Sequence, residues 1–295
     1  MDPSSEPAKM RTRACITTPD GINWYYEQQR GTGPHHIVLV PDAVGDCHVF
    51  DEALPLIARD GGGDGDGGSF TVTTFDNPGF SRSVPAPADA CTSITAPKQA
   101  AQIVGLLDAL GIRTATFWGS SSGGAVAVAL SQMFPSRARS VMAHEAPTGG
   151  GGGGGSKFFQ ALLDEPDDAV VADKLSAGLK RMYPSEMEKW EAKGAEFQDR
   201  LRANYPRWVR GYTASFGPSV PSLEAAGGPD GGGSRGVPLD WSVGAATQVR
   251  MILDGVVAVV KAGVPVHLLP GLHFPFTTDP EAFAEYVVER ARQYL

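Results

Sequence analysis

Short apolar runs alternate along this chain with segments whose apolar residues recur at helical spacing. Ile37-Val38-Leu39-Val40, within His36–Pro41, is apolar without interruption, which predicts a strand buried on both faces. Phe70–Phe75, Thr114–Trp118, Arg139–His144, Pro238–Ala245 and Pro265–Leu269 are further strand candidates. Ala14–Thr18 and Ile22–Gln28 flank Pro19-Asp20-Gly21, the mark of a hairpin. In Lys98–Leu110 the apolar positions Ala101, Val104, Leu107 and Leu110 follow a helix period, and Gly111 closes it. Gln248–Lys261 has the same character, with Gly263 after it, and Asp279-Pro280 supplies the cap and first position of a last helix. Alternating strands and helices predict an α/β fold, a mainly parallel sheet with helices on both faces. Such sheets hold their ligands at the C-terminal ends of the strands.

The alternation stops between about Phe158 and Phe216. There the chain reads as helices rich in aromatic and apolar residues, a helical lid inserted between two strands. Three glycine-rich tracts, Gly61–Gly68, Gly149–Gly155 and Gly227–Gly236, fall where loops are expected. None has the strand and helix around it that a nucleotide loop needs, so they read as flexible insertions, the last two placed to act as lid hinges. The organisation is then a disordered segment over 1–10, a core over 11–148 and 237–295, and a lid or cap over 149–236.

Chemistry enters at Gly119-Ser120-Ser121-Ser122-Gly123. This G-x-S-x-G string follows the β-branched and aromatic Thr114–Trp118 and precedes the apolar Gly124–Leu130. Strand, glycine-rich turn and buried helix together make an elbow that presents the central serine, Ser121, at a helix N-terminus. A serine hydroxyl needs a base. Of six histidines, only His273 follows the last strand, in Leu269-Pro270-Gly271-Leu272-His273. The base needs a carboxylate. The strand after the lid carries none at its C-terminal end, since Asp240 lies at the opposite end and Asp254 within the next helix. The strand before the lid ends in His144-Glu145, which makes Glu145 the acid. Ser121, His273 and Glu145 then form a triad that acylates and deacylates at serine. The oxyanion donors are the backbone N–H groups of Ser122 and, in the loop after Val38–Val40, Ala43. Asp42 stands beside them, to hydrogen-bond a substrate hydroxyl or to cap the turn.

Composition narrows the setting. The chain has 295 residues, a formal charge of -8, and no run of apolar residues long enough to span a membrane. Nucleic acid and anionic membrane are poor partners for that charge. The three cysteines, Cys15, Cys47 and Cys91, are scattered without metal spacing, and the N-terminus lacks the apolar core of a signal peptide. Free thiols in a cytoplasmic protein, without metal or cofactor, are expected.

Several strings together resemble the fungal zearalenone lactone hydrolases of the α/β-hydrolase superfamily. They are Asn23-Trp24-Tyr25-Tyr26-Glu27, Val40-Pro41-Asp42, Trp118-Gly119 with Ser121-Ser122-Gly123, and His144-Glu145 with Pro147-Thr148. Asn204-Tyr205-Pro206 with Trp208 and Arg210-Gly211-Tyr212 follows, then Pro238-Leu239-Asp240-Trp241, Val243–Thr247, and Leu268–Gly271 with His273-Phe274-Pro275. The likeness runs from Met10 onward. It implies an α/β-hydrolase fold and opening of the lactone ester of a macrocyclic resorcylic acid, without metal or cofactor. It assigns Ser121, Glu145 and His273 as triad, Ala43 and Ser122 as oxyanion donors, and Trp208 and Tyr212 as lid contacts to the substrate. A homodimer is implied by likeness alone. Two departures stand out: Ala43 replaces a common glycine, and the Gly149–Gly155 tract replaces apolar pocket residues. A general carboxylesterase, or a ligand receptor that retains a triad but hardly turns over, would carry the same elbow. Dehalogenase and epoxide-hydrolase chemistry would need an aspartate in place of Ser121.

Overall fold

The computed structural model describes residues 11–59, 69–148, 157–212, 215–223 and 236–295. The N-terminal ten residues, read above as disordered, and the three glycine tracts apart from Gly236 lie outside the described residues. The strands are β1 (Arg11–Thr17), β2 (Asn23–Gln29), β3 (His36–Val40), β4 (Thr71–Phe75), β5 (Ala115–Ser120), β6 (Ala138–His144), β7 (Leu239–Gly244) and β8 (Val266–Leu269). They form one eight-stranded sheet in the order β1-β2-β4-β3-β5-β6-β7-β8. β1 and β2 make the expected hairpin, and β2 runs antiparallel to β4. All remaining neighbours are parallel. The order reverses at β3, so the C-terminal ends of β3 and β5 open onto a crevice, the place where such sheets bind ligands.

Helices α1 (Ala53–Arg59), α2 (Ala88–Cys91), α3 (Ala96–Ala109) and α4 (Ser121–Met133) lie before β6. Between β6 and β7 come α5 (Lys157–Leu163), α6 (Asp168–Met182), α7 (Pro184–Ala192), α8 (Ala195–Tyr212) and α9 (Phe216–Ser219). After β7 follow α10 (Val249–Lys261), α11 (Pro275–Thr278) and α12 (Pro280–Gln293). One core layer joins α3, α4 and the buried end of α10 to the sheet through Ile103, Leu107, Val126, Leu130 and Val259. The other joins α1 and α12 to the opposite face through Leu54, Ile57, Phe283 and Val287, and continues into α6, α7 and α8. The short α1, α2 and α11 have too few residues for a helical period to show in the sequence. β5 runs two residues further than its apolar string suggested, through Gly119 and Ser120, because the elbow begins only where the backbone turns over at Ser121.

Helix α8 ties the inserted helices to the core along one face. Arg200 donates to Asp46 Oδ2 at 2.7 Å, Asn204 accepts from the Ser81 N–H at 3.0 Å, and Arg207 donates to the Gly79 carbonyl at 2.8 Å. Residues three and four apart share a helix face, so these contacts form one seam. It rests on the loops that follow β3 and β4.

Candidate active site

The elbow is built by close backbone approach. A Cβ on Gly119 would sit 2.5 Å from the Gly123 carbonyl carbon, and one on Gly123 would sit 2.5 Å from the Val40 carbonyl oxygen. Only glycine fits at either position. Between them Ser121 has φ +50°, a left-handed conformation that costs a non-glycine residue about 1–3 kcal/mol and persists only where the surroundings enforce it. The serine thus stands at the first position of α4, where unpaired backbone N–H groups favour developing negative charge.

Glu145 also has a positive φ, at +44°. It follows β6 directly, and its own N–H is tied to the Ser242 carbonyl at 2.9 Å. Its two carboxylate oxygens have separate partners. Oε1 accepts from the Gly244 N–H at 2.9 Å, and Oε2 lies 2.7 Å from Nδ1 of His273. Burial alone would raise the Glu145 carboxyl, but the hydrogen bond and charge of His273 outweigh it and hold the group at about 2. A carboxylate on Nδ1 makes that nitrogen the donor and leaves Nε2 of His273 on the opposite edge of the ring, turned from Glu145. His273 is 8% exposed. Tyr183 stacks on its ring at 4.9 Å and 11°.

His144 stands one residue before Glu145, at the end of β6. It braces the loop that carries His273. Nε2 donates to the Leu272 carbonyl at 3.0 Å, so Nδ1 accepts from the Ser242 hydroxyl at 3.0 Å. Burial, with the nearby His273, pushes its pKa down to about 4 despite Glu145, so it serves as a neutral strut. Asp240 is buried and bound by Arg290 at 2.8 Å and His267 at 3.2 Å, far along β7 from Glu145.

On the β3 side, Asp42 is buried. Its Oδ1 accepts from the Val44 N–H at 2.8 Å, and the hydroxyls of Ser121 and Ser122 face its carboxyl. Burial raises the Asp42 pKa, opposed by the Val44 N–H, His273 and the two serines. The Ala43 N–H donates to the Ser122 hydroxyl at 3.0 Å. Asp42, Ala43, Ser121, Ser122 and His273 are therefore neighbours. Trp208 is half-buried with its ring 5.3 Å from that of Phe159. Tyr212 is 2% exposed, its hydroxyl donating to Gln99 at 2.8 Å, and it packs on Phe80 and Phe216. Among the described residues no three His, Cys, Asp or Glu side chains converge to hold a metal ion, and no helix is long and apolar enough to cross a membrane.

Some members of the site were not legible in the sequence. Tyr183 offered only the helix break at Tyr183-Pro184. Gly244 stood within Val243–Thr247 with no assigned role. A Cβ there would meet the Leu272 carbonyl oxygen at 2.3 Å, which explains the glycine. The helices between β6 and β7 also reach the segment after His273, where Trp190 of α7 donates to Thr277 of α11 at 3.0 Å.

Comparison with known proteins places this arrangement in a family. Residues 35–221 match the model of the α/β hydrolase fold. A zearalenone hydrolase of Bionectria ochroleuca is 44% identical over 97% of this chain and 100% of its own length. A zearalenone hydrolase of Cladophialophora bantiana is 42% identical over 98% of this chain and 100% of its own length. Among solved structures, a hydrolase from Pseudomonas aeruginosa PA01 superposes with a TM-score of 0.71 at 21% identity, covering 94% of this chain and 97% of that one. The last likeness is one of fold, while the first two extend along the whole sequence. The chain belongs to the α/β-hydrolase family and, within it, to the zearalenone hydrolases.

Proposed function

We propose that the protein opens the lactone ester of zearalenone and related macrocyclic resorcylic lactones, with Ser121 as nucleophile, His273 as base and Glu145 as the acid that orients it. The observation that carries this reading is the Glu145–His273 pair, 2.7 Å apart, beside a serine held at φ +50° on a glycine elbow. Nε2 of His273 takes the Ser121 hydroxyl proton as Oγ attacks the lactone carbon. The carbonyl oxygen becomes an oxyanion, met by the N–H groups of Ser122 and Ala43 and by the N-terminus of α4. For Ala43 to serve, its N–H exchanges the Ser122 hydroxyl for the oxyanion, two acceptors within one side-chain rotation. The oxyanion collapses, the C–O bond of the ring breaks, and His273 returns the proton to the departing oxygen. Water, deprotonated by the same nitrogen, then cleaves the acyl-enzyme and frees Ser121. Asp42 and Trp208 line the substrate side, and Tyr212 supports it from the wall behind.

The helices between β6 and β7 are the cap over this crevice, and no metal or cofactor enters the reaction. The likeness to the family supports a homodimer, and the scattered free thiols support a cytoplasmic setting. The deciding experiment incubates zearalenone with the protein and with Ser121→Ala, with mass detection of products. A product at the substrate mass plus water, or that mass less carbon dioxide, formed only by the unmutated protein is the expected result. Equal product from Ser121→Ala removes the serine as nucleophile. Cleavage of p-nitrophenyl acetate without any zearalenone product would leave a general carboxylesterase.

A further inference from the structure

Helix α10 is anchored at one end and stands off the sheet at the other. Val259, near its C-terminus, is its one fully buried side chain and joins the core with Val264 just beyond the helix. Val249, Leu253, Val257 and Val260 are exposed. The N-terminal half leaves an open groove of about 360 Å³ against the ends of β6 and β7. On the helix side it is lined by Met251, Ile252, Gly255 and Val256, and on the sheet side by Trp241 and Val243. Its inner end reaches Ser121 and Glu145.

Gly255 sits in the middle of this helix, where glycine is destabilising relative to alanine. Close packing explains such a glycine in Gly178, whose Cβ would meet the Phe158 ring at 2.9 Å. At Gly255 an added Cβ meets nothing within 4 Å. The missing side chain therefore keeps space open along the groove.

The lining decides what the space suits. Seven of its twelve lining residues are aliphatic or aromatic and none is a cation, while Ser121, Glu145, Thr148 and Asp254 are polar. Both oxygens of Glu145 already have partners in Gly244 and His273. The side chains left to grip a group along the helix side and β7 are Trp241, Val243, Met251, Ile252 and Val256, which suit a neutral, apolar one. His273 is absent from the lining and lies against Tyr183 and Phe274 instead. Because His273 hands the proton to the departing oxygen, the leaving side of an ester lies toward His273. The groove meets Ser121 from elsewhere.

We propose that this groove is the subsite for the acyl side of the ester, that it takes an apolar ring or chain attached to the acyl carbon, and that Gly255 sets its width. The inference rests on Ser121 as nucleophile. Sulfonyl fluorides test it without requiring turnover, because their one carbon substituent occupies the acyl side. Ser121 Oγ bonds to sulfur, the S–F bond breaks, fluoride leaves and His273 takes the proton. Labelling rates of Ser121 by methanesulfonyl fluoride and octane-1-sulfonyl fluoride are read by mass spectrometry, with folding checked by thermal melting. Gly255→Leu should lower the octyl-to-methyl rate ratio at least 10-fold, and Gly255→Ala should leave it within twofold. An unchanged ratio in folded Gly255→Leu overturns the proposal. If neither reagent labels Ser121 in a protein that still hydrolyses zearalenone, the nucleophile assignment fails and the subsite with it.

Discussion

The backbone N–H of Gly244 holds one oxygen of Glu145 at 2.9 Å while His273 holds the other at 2.7 Å. The acid is thus fixed between β6, which carries it, and β7, which lacks an acid of its own at that end. The carboxylate cannot turn without breaking one of two short hydrogen bonds.

Substituting Gly244 should therefore act on catalysis. In Gly244→Ala the new Cβ would collide with the Leu272 carbonyl at 2.3 Å, moving the histidine loop and the N–H together. The expected loss in kcat is roughly 10²-fold, the scale of a misplacement near 1 Å. Steady-state kinetics on zearalenone measure it, and a kcat within twofold of the parent would refute it.

Two acids on neighbouring strands should separate cleanly. Glu145→Gln keeps the shape but loses the charge that stabilises the imidazolium, so kcat should fall about 10³-fold or more, with a Tm lowered by the lost pairing with His273. Asp240→Asn weakens the buried pairing with Arg290 and His267. It should cost about 3 kcal/mol of stability while sparing kcat. Paired measurement of kcat and Tm decides, and the reverse pattern would move the acid to β7.

Tyr183 should act through its ring and not its hydroxyl, since the contact with His273 is a stack at 11°. Tyr183→Ala should lower kcat roughly 3–10-fold, the kinetic equivalent of ~0.5–1.5 kcal/mol for an aromatic pair. Tyr183→Phe should stay within twofold. Equal losses in both variants would point to the hydroxyl.

Stability should fall on mild acidification because of His144. Its pKa drops from the ordinary 6.5 to about 4 in the folded chain, so between those values the unfolded chain binds the proton and the folded chain does not. Stability is then complete above about pH 6.5, declines as pH falls toward 4, and levels off below, by up to about 3 kcal/mol from this residue. Glu145, held at about 2, acts in a lower window: its contribution is present above the ordinary carboxylate pKa and is lost as pH falls toward 2. Thermal melts of the parent and of His144→Gln from pH 7 to 4 test the first window, where the variant should show the flatter curve.

Much of this architecture is legible in the sequence because each signal is local. The apolar run Ile37–Val40 and the β-branched string before Gly119 are short-range patterns, and strands follow them. Ser121 is legible because its glycines are needed within four residues of it. The candidacy of Glu145 is legible by elimination along two strands, and its carboxylate lies against His273. Tyr183, His144 and Gly244 are not, because their partners lie 90, 128 and 99 positions away, and no spacing rule connects them. Helix α10 shows the limit in another way. Its 3.6-residue period predicts the helix, yet the period does not say that Val249, Leu253, Val257 and Val260 face outward.

The seam along α8 has a mechanical consequence. Asp46, which Arg200 grips, is four residues from Asp42 on the loop that also bears Ala43, while Tyr183 at the start of α7 stacks on His273 and Trp190 of α7 holds Thr277 just beyond it. The inserted helices therefore act as a jig. They touch both the Asp42–Ala43 side and the His273 side of Ser121. A shift of these helices would disturb both sides at once, so substitutions at their seams should be felt as slower chemistry before they are felt as weaker binding.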